Sequence, residues 1–127
     1  MCLLKKELQT QHLNTIKEGR KKYEGRLADK IDEWNLYIGK LIKFFDPNEP
    51  ESWVLVRVTD LLIFSDFGEA FDELGKDLIP NQTRNGVIKL YNKIYKYPDE
   101  KLIAGKSSKM IKDKRVVAIK LKVIAMQ

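Results

Sequence analysis

The segment SWVLVRVTDLLIF, residues 52–64, constrains the fold more than any other part of the sequence. It is rich in β-branched and aromatic residues, which is typical of a β-strand. Val54, Val56 and Val58 occupy alternate positions, so they point to the same face of that strand. A face of three valines belongs in a hydrophobic core. The chain is therefore predicted to build a sheet around this strand.

The other predicted elements mix strands with short helices. Alternation of apolar and polar residues predicts three further strands, at residues 3–8, 38–45 and 114–124. Apolar residues at helical spacing predict helices at residues 11–18, 29–34, 66–78 and 83–97. Thr10 precedes the first helix and is predicted to be its N-cap. Because the elements do not alternate as regular βαβ units, the sequence predicts an α+β fold built on a small curved sheet or barrel.

The length of 127 residues predicts a single domain over residues 1–127, and a hydrophobic content of 43% is sufficient for its core. No stretch approaches the roughly 20 apolar residues of a membrane span, and lysines interrupt the opening residues where a signal peptide would stay apolar. With a single cysteine, Cys2, no internal disulfide can form. We therefore expect a cytoplasmic or otherwise intracellular protein with no membrane partner, while its oligomeric state is left open.

Cofactor and metal chemistry find little support in the sequence. One cysteine and one histidine cannot assemble a Cys/His zinc site or a helical pair of histidines. A Walker loop, a dinucleotide-binding glycine fingerprint and a Gly-x-Ser-x-Gly elbow are all absent from the sequence. No cofactor and no metal site are predicted, and His12 is expected to cap or flank a helix.

Charge is unevenly distributed along a chain whose formal net charge is +6. Basic residues concentrate in two segments, one with Arg20, Lys21, Lys22, Arg26 and Lys30, the other with Lys106, Lys109, Lys112, Lys114, Arg115, Lys120 and Lys122. Residues 46–78, by contrast, carry nine acidic residues against two basic ones. If the two basic segments meet in the fold, they form a positive face that attracts nucleic acid. The alternative is that the lysines only solvate strand surfaces.

The segment GRKKYEGR, residues 19–26, directly follows the first predicted helix. Gly19 is predicted to end that helix in the left-handed conformation, which glycine adopts at little cost. In a regular strand Glu24 and Arg26 share a face and can form an ion pair, whereas Lys21 points the other way. If Lys21 is to join them, the pleat must break where the strand begins.

These charged residues are compatible with two interpretations. An arginine held by a carboxylate can present donors to a phosphate or a base edge. Lys21 would add a positive charge for the same ligand, or act as a general base if burial lowers its pKa. In the alternative, Glu24 and Arg26 form a structural pair that closes the barrel, and Lys21 and Lys22 are solvated.

Gly19, Lys21, Glu24 and Arg26 match a Gly-x-Lys-x-x-Glu-x-Arg signature, and through it the sequence resembles the ASCH family, the activating signal cointegrator homology domains. The flanking segments agree in order from about residue 3 to 123, because HLNTIKEG, IGKLIKFF, VRVTDLLIFSDFGEAFDEL and RVVAIKL are similar to the family's helices and strands. The resemblance implies a PUA-like β-barrel with short flanking helices and a cleft that contains the signature residues. It also implies that RNA or a modified nucleoside is the ligand.

Some small bacterial members of the family hydrolyse N(4)-acetylcytidine, with a lysine at the position of Lys21, a threonine at that of Glu24 and an acid at the start of the last helix. Others are ribonucleases. In this sequence Glu24 replaces the threonine, and Asn85 or Gly86 stands at the helix start. Lys40 replaces an aspartate of the family's strand motif. These departures weaken the hydrolase interpretation.

Aromatic side chains are the remaining candidates for contact with a base, and they are Tyr23, Trp34, Tyr37, Tyr91 and Tyr95. Tyr91 and Tyr95 lie one helical turn apart, so they could line a pocket together or pack the helix. The predicted ligand-binding residues are Gly19, Lys21, Lys22, Tyr23, Glu24, Arg26, Tyr91 and Tyr95.

Three functions are compatible with these features. In the first, a binding module holds RNA or a nucleotide against Lys21, Glu24 and Arg26, with Lys22 and the C-terminal lysines on the phosphate backbone. The second is a hydrolase, similar to an N(4)-acetylcytidine amidohydrolase or a ribonuclease, in which Lys21 is the base or activates the nucleophile and Glu24 shuttles the proton. The third is a protein-interaction adaptor that uses the acidic residues 46–78.

Overall fold

The computed structural model describes residues 3–80, 82–95 and 115–127, and for residues 91–95 it describes the backbone alone. The elements found there are, in chain order, β1 (Leu4–Glu7), α1 (Thr10–Lys17), β2 (Tyr23–Leu27), α2 (Lys30–Glu33), β3 (Leu41–Phe45), β4 (Trp53–Phe64), α3 (Phe67–Leu74), α4 (Arg84–Tyr95) and β5 (Val116–Met126). A 3₁₀ turn, Gly75–Asp77, follows α3 directly.

The five strands form one sheet in the order β1-β3-β4-β5-β2. β1 pairs with β3 in parallel, and the other neighbouring strands are antiparallel. Register shifts interrupt the long β4/β5 pairing between Leu55 and Val56 and again between Val58 and Asp60. Such irregularities bend strands, and the sheet curls into a half-barrel. β1 and β2 are the two edges of this sheet, since the strand order contains no pairing between them.

The first of two core clusters packs against one face of the sheet. Val54, Val56 and Val58 of β4 are fully buried there, as the alternation of the sequence predicted. Leu13 and Ile16 of α1 pack into the same cluster, so this short helix covers that face of the sheet.

The second core cluster lies between the sheet and the helices α3 and α4. Phe67 and Ala70 of α3 and Val87 of α4 are buried in it, together with Val116 and Ala118 of β5. The intervening residues of β5 belong to the first cluster, so the first half of this strand is covered on both faces.

The predicted α+β class with a PUA-like curved sheet and short flanking helices is confirmed. The sheet is an open half-barrel rather than a closed ring. β3 begins at Leu41 rather than at residue 38, because Gly39 takes a φ of +102° just before it. The prediction of a single domain over residues 1–127 stays a prediction.

The predicted N-cap of the first helix was wrong. Gln9 occupies the N-cap position and makes no capping hydrogen bond with its side chain, and Thr10 is the first helical residue. The Thr10 hydroxyl instead donates to Asp46 Oδ2 at 2.6 Å, just after β3. The Thr10 hydroxyl therefore makes a tertiary hydrogen bond instead of capping the helix.

Within the ranges that the structure describes, none of the helices combines the length and the apolar character that crossing a membrane requires.

Candidate functional site

The chain between α1 and β2 is fixed through its backbone. Gly19 has a φ of +78°, as predicted, and the amides of Gly19 and Arg20 donate to the carbonyls of Ile16 and Thr15 at 3.0 Å. This pair of bonds is the Schellman arrangement of a helix C-terminus. The next amide, of Lys21, also donates to the Thr15 carbonyl at 3.0 Å. The turn therefore sets the direction of the Lys21 side chain before β2 begins.

Residue 22 is held on both sides by backbone hydrogen bonds. The Lys22 amide donates to the Asp77 carbonyl at 2.7 Å, and the Lys22 carbonyl accepts from the Leu121 amide at 2.9 Å. The 3₁₀ turn and β5 therefore clamp the segment between them. The Lys22 side chain itself is exposed.

Lys21, Glu24 and Arg26 form a buried charged cluster, referred to below as the charge cluster. Lys21 Nζ lies 3.4 Å from Glu24 Oε1 and also donates to the carbonyl of Leu78, which follows the 3₁₀ turn. Glu24 Oε2 accepts from Arg26 Nη2 at 2.9 Å and from Arg26 Nε at 3.2 Å. The side chains of Lys21, Glu24 and Arg26 are 0%, 5% and 20% exposed. Arg26 is thus the member of the cluster that reaches the surface.

Lys21 joins the cluster because it lies outside the strand. β2 starts at Tyr23, so the alternation of side chains does not apply to Lys21. Within the strand, Glu24 and Arg26 keep the two-residue spacing of one face. The break in the pleat that the sequence required is therefore the exit from the helix turn.

The two buried charges at the centre of the cluster have shifted pKa values. Burial lowers the pKa of Lys21, and the neighbouring Glu24 opposes that effect only in part. Burial alone would raise the pKa of Glu24, but the positive charges of Arg26 and Lys21 outweigh it and hold the pKa below its usual value. Glu24 is therefore a carboxylate at neutral pH, placed between two basic groups.

His12 lies beside the charge cluster, a position that the sequence did not predict. It is the third residue of α1 and half-buried rather than a cap or a flank of the helix. Burial lowers its pKa, and the charges of Glu24, Lys21 and Arg26 all act on it. In the described part of the chain no hydrogen bond to the imidazole is found. His12 precedes the buried Thr15 and Ile16 by three and four positions, and this helical spacing could have placed it on the inner face.

Trp34 is the second site residue that the sequence left out of the predicted set. Its side chain is 5% exposed and follows α2. The Arg26 Cζ atom and the Lys6 Nζ atom each lie 5.0 Å from the centroid of its ring. Beyond them opens a groove of about 550 Å³ between β1, β2 and α2, which Arg26 and Trp34 help to line. This space is called the seam groove below, because it lies between the two edges of the curled sheet.

The other predicted contact residues are placed differently. Tyr23 packs in the second core cluster with 9% exposure, which leaves little of its ring accessible to a ligand. The reason is its position in β2, where it faces away from Glu24. Gly19 is exposed and acts as a turn. The side chains of Tyr91 and Tyr95 lie outside the described residues.

The two basic segments do come together, as far as the chain is described. β2 pairs with β5 over five positions, with Tyr23 opposite Lys120 and Leu27 opposite Val116. Lys120 and Lys122 are exposed on β5, while residues 106–114 lie outside the described ranges. In the described residues no group of three or more histidine, cysteine or acidic side chains is arranged to hold a metal ion.

Known structures resemble this fold over nearly its whole length. The hypothetical protein PH0355 has a TM-score of 0.70 at 25% identity, and the match covers 97% of this chain and 100% of that chain. Protein PF0455 from Pyrococcus furiosus has a TM-score of 0.65 at 25% identity, covering 97% and 98%. The ASCH protein of Zymomonas mobilis has a TM-score of 0.59 at 12% identity, covering 96% of this chain and 70% of that chain. The chain has an ASCH-like fold.

This ASCH-like fold agrees with the resemblance that the signature residues indicated. No protein-family model and no curated protein matches the sequence. The agreement with the Zymomonas mobilis protein is therefore one of backbone architecture. In the ASCH-like fold of this chain, the signature residues Lys21, Glu24 and Arg26 are the ones that form the charge cluster.

Proposed function

We propose that this chain is a PUA-like binding module that holds a nucleoside or a nucleotide of single-stranded RNA at the charge cluster. The observation that carries the proposal is the near-complete burial of Lys21 and Glu24, paired with an Arg26 that reaches the surface next to an open groove. A buried ion cluster is a poor stabilising device, because apolar residues of similar volume usually stabilise a fold as well or better. Its placement beside the half-buried His12 favours a recognition site.

The cluster has the chemistry that a nucleobase requires. Arg26 reaches the surface while Glu24 holds its guanidinium plane through two hydrogen bonds. A guanidinium fixed in this way recognises planar acceptor groups with defined geometry. His12 adds a ring that can donate or accept a hydrogen bond, and its lowered pKa keeps it neutral at pH 7.

A hydrolase is the second candidate, and the position of Lys21 supports it in one respect. Burial lowers the pKa of Lys21, which increases the fraction of neutral amine that could act as a general base. However, the side chain is 0% exposed and Nζ donates to the Leu78 carbonyl, so a substrate could reach it only after this bond is broken. Binding is therefore the better-supported function.

The adaptor alternative loses support because several acidic residues of the segment 46–78 already have structural roles. Asp46 accepts from Thr10, Asp66 accepts the Glu69 amide as the N-cap of α3, and Asp72 pairs with Arg84 at 2.8 Å.

A thermal-shift screen tests the binding proposal. The purified protein is mixed with nucleosides, including N(4)-acetylcytidine, with nucleotides and with short single-stranded RNAs, and a ligand of the native state must raise the Tm. Arg26→Ala should abolish the shift. Lys22→Gln is the matched control, since it removes an exposed positive charge near the site, and it should keep the nucleoside response.

Two results would contradict the proposal. One is the absence of any shift with every nucleoside, nucleotide and RNA in the wild-type protein. The other is a shift that Arg26→Ala retains in full. Turnover of N(4)-acetylcytidine that is lost in Lys21→Met would instead favour the hydrolase.

A further inference from the structure

The seam groove is lined by charged residues, of which only Arg26 also belongs to the charge cluster. Four of its lining residues are basic, namely Lys5, Lys6, Arg26 and Lys30, and two are acidic, namely Glu7 and Glu33. Lys5 and Lys6 come from β1, one edge of the sheet, and Arg26 comes from β2, the other edge. The groove therefore exists only because the curled sheet brings its two edges together without pairing them.

From this arrangement we infer that the seam groove holds a backbone phosphate of the RNA strand whose base or nucleoside binds at the charge cluster. The inference rests on the proposed function and adds the residues that contact the phosphate. Lys5 and Lys6 are its principal contacts, and Arg26 lies between the two sites.

Within the groove, the lysines of β1 differ from the lysine of α2 in how they are compensated. Lys30 Nζ lies 2.5 Å from Glu33 Oε2, so that positive charge is already matched. Lys5 is exposed and Lys6 is half-buried, and among the described residues neither has a carboxylate within ion-pair distance. The charge of Lys6 also acts on Glu33, but without the close contact that Lys30 makes. Two ammonium groups with no carboxylate at ion-pair distance attract an oxyanion, and phosphate is the oxyanion that an RNA strand carries at every nucleotide.

The groove is suited to a phosphate rather than to a second base. Its tryptophan, Trp34, is 5% exposed, and Lys6 and Arg26 both lie over its ring. Stacking needs an open aromatic face, and little of this ring remains open. Lys6 and Arg26 therefore both place a positive charge at the tryptophan that lines the groove.

This assignment differs from the one that the sequence suggested, in which Lys22 and the C-terminal lysines hold the phosphate backbone. Lys120 and Lys122 lie on β5 and do not line the groove. Lys120 Nζ lies 6.0 Å from the ring centroid of Tyr23 instead. The phosphate contact is thus assigned either to the lysines of β1 or to those of β5. The two assignments predict different effects when each pair of lysines is replaced.

The test compares two double variants that each lose two positive charges, Lys5→Gln/Lys6→Gln on β1 and Lys120→Gln/Lys122→Gln on β5. The affinity for a single-stranded RNA of about ten nucleotides is measured by fluorescence anisotropy over a series of salt concentrations. For single strands each neutralised phosphate contributes about 0.7 to the slope of log affinity against log salt, so the β1 variant, which loses the contact to one phosphate, should lose about 0.7. The β5 variant should keep the wild-type slope.

A free nucleoside serves as the second probe, because it carries no phosphate. Its thermal shift should be the same in the wild-type protein and in Lys5→Gln/Lys6→Gln. The salt series is repeated with the single variant Lys5→Gln, because Lys5 is exposed whereas Lys6 packs over Trp34. This variant should show about half of the slope change of the double variant.

Each outcome has a distinct meaning. A wild-type slope in the β1 variant, with the slope reduced in the β5 variant, overturns the inference but leaves the proposed function intact. RNA binding that Arg26→Ala leaves unchanged, together with a reduced slope in the β1 variant, overturns the proposed function but not the phosphate contact. If the wild-type protein binds neither probe, both are overturned.

Discussion

Glu24 is the residue on which the geometry of the site depends. One of its carboxylate oxygens faces Lys21 Nζ and the other accepts two hydrogen bonds from Arg26. Because the carboxylate compensates two cations at once, each cation is buried at a tolerable free energy only while Glu24 is charged.

Replacing Glu24 by glutamine should therefore destabilise the protein strongly. The change removes the carboxylate that the buried Lys21 and the partly buried Arg26 share, and breaking a buried pair in this way costs about 3 to 5 kcal/mol. Urea denaturation of Glu24→Gln measures the free energy of unfolding. The control is Glu33→Gln, which removes a carboxylate from an exposed pair with Lys30 and should change stability little. Equal stability of the two variants would show that the cluster is not electrostatically coupled.

His12 should make stability depend on pH below its ordinary pKa. Burial lowers its pKa in the folded protein from 6.5, so just below pH 6.5 the unfolded chain binds more protons than the folded one. Stability is thus fully present above pH 6.5 and falls as the pH decreases towards the lower folded-state pKa. In His12→Asn the fall between pH 6.5 and about pH 5 should disappear, because the chain has a single histidine and carboxylates such as Glu24, whose pKa is lowered, titrate below that range. The measurement is the urea midpoint across this pH range, and an identical pH profile in both proteins would contradict the prediction.

At the scale of elements, the sequence predicted what local pattern determines and missed what distant contacts determine. The valine alternation of β4 and the glycine at the end of α1 were predicted correctly, because each depends on neighbours along the chain. The bond from Lys21 to the Leu78 carbonyl spans 57 positions, and no local pattern contains it. For the same reason Tyr23 could not be assigned to the core, since its burial depends on helices that follow much later in the chain.

The turn at Gly19 gives a test of how an element positions the site. An added Cβ at this position would meet nothing within 4 Å, so alanine is disfavoured only by the left-handed φ of +78°. Gly19→Ala should lower stability by about 1 to 2 kcal/mol, and Gly19→Asn by less, because asparagine tolerates this conformation better. Thermal unfolding of the two variants measures the order. Equal losses of stability in Gly19→Ala and Gly19→Asn would mean that the left-handed backbone conformation is not the cause of the loss.

At the scale of the whole molecule, the sheet has a long central pair and short edges. β4 and β5 are 12 and 11 residues long, whereas the edge strand β1 has four residues. The sequence could not predict the order β1-β3-β4-β5-β2, because alternation defines the faces of a strand but not its neighbours. It therefore could not predict the seam groove either, although every residue that lines it was visible in the sequence.

This unequal sheet predicts a gradient of local stability. The amides of Val56, Val58 and Ile119 lie in the buried centre of the sheet and should exchange with solvent most slowly in hydrogen-exchange NMR. Amides of β1 should exchange faster, since this strand pairs on one side only. Protection in β1 equal to that of β4 would indicate that the edge is covered in solution.

The clamped segment between α1 and β2 has a consequence for the thermodynamics of recognition. Its backbone is bonded to α1, to the 3₁₀ turn and to β5, and the buried Lys21 amine ties it to Leu78 as well. Little conformational entropy is then left to lose when a ligand arrives, so the affinity does not have to offset the ordering of a loop. We expect free and bound forms to superimpose closely at residues 19–26, which makes this site a rigid template rather than one that folds around its ligand.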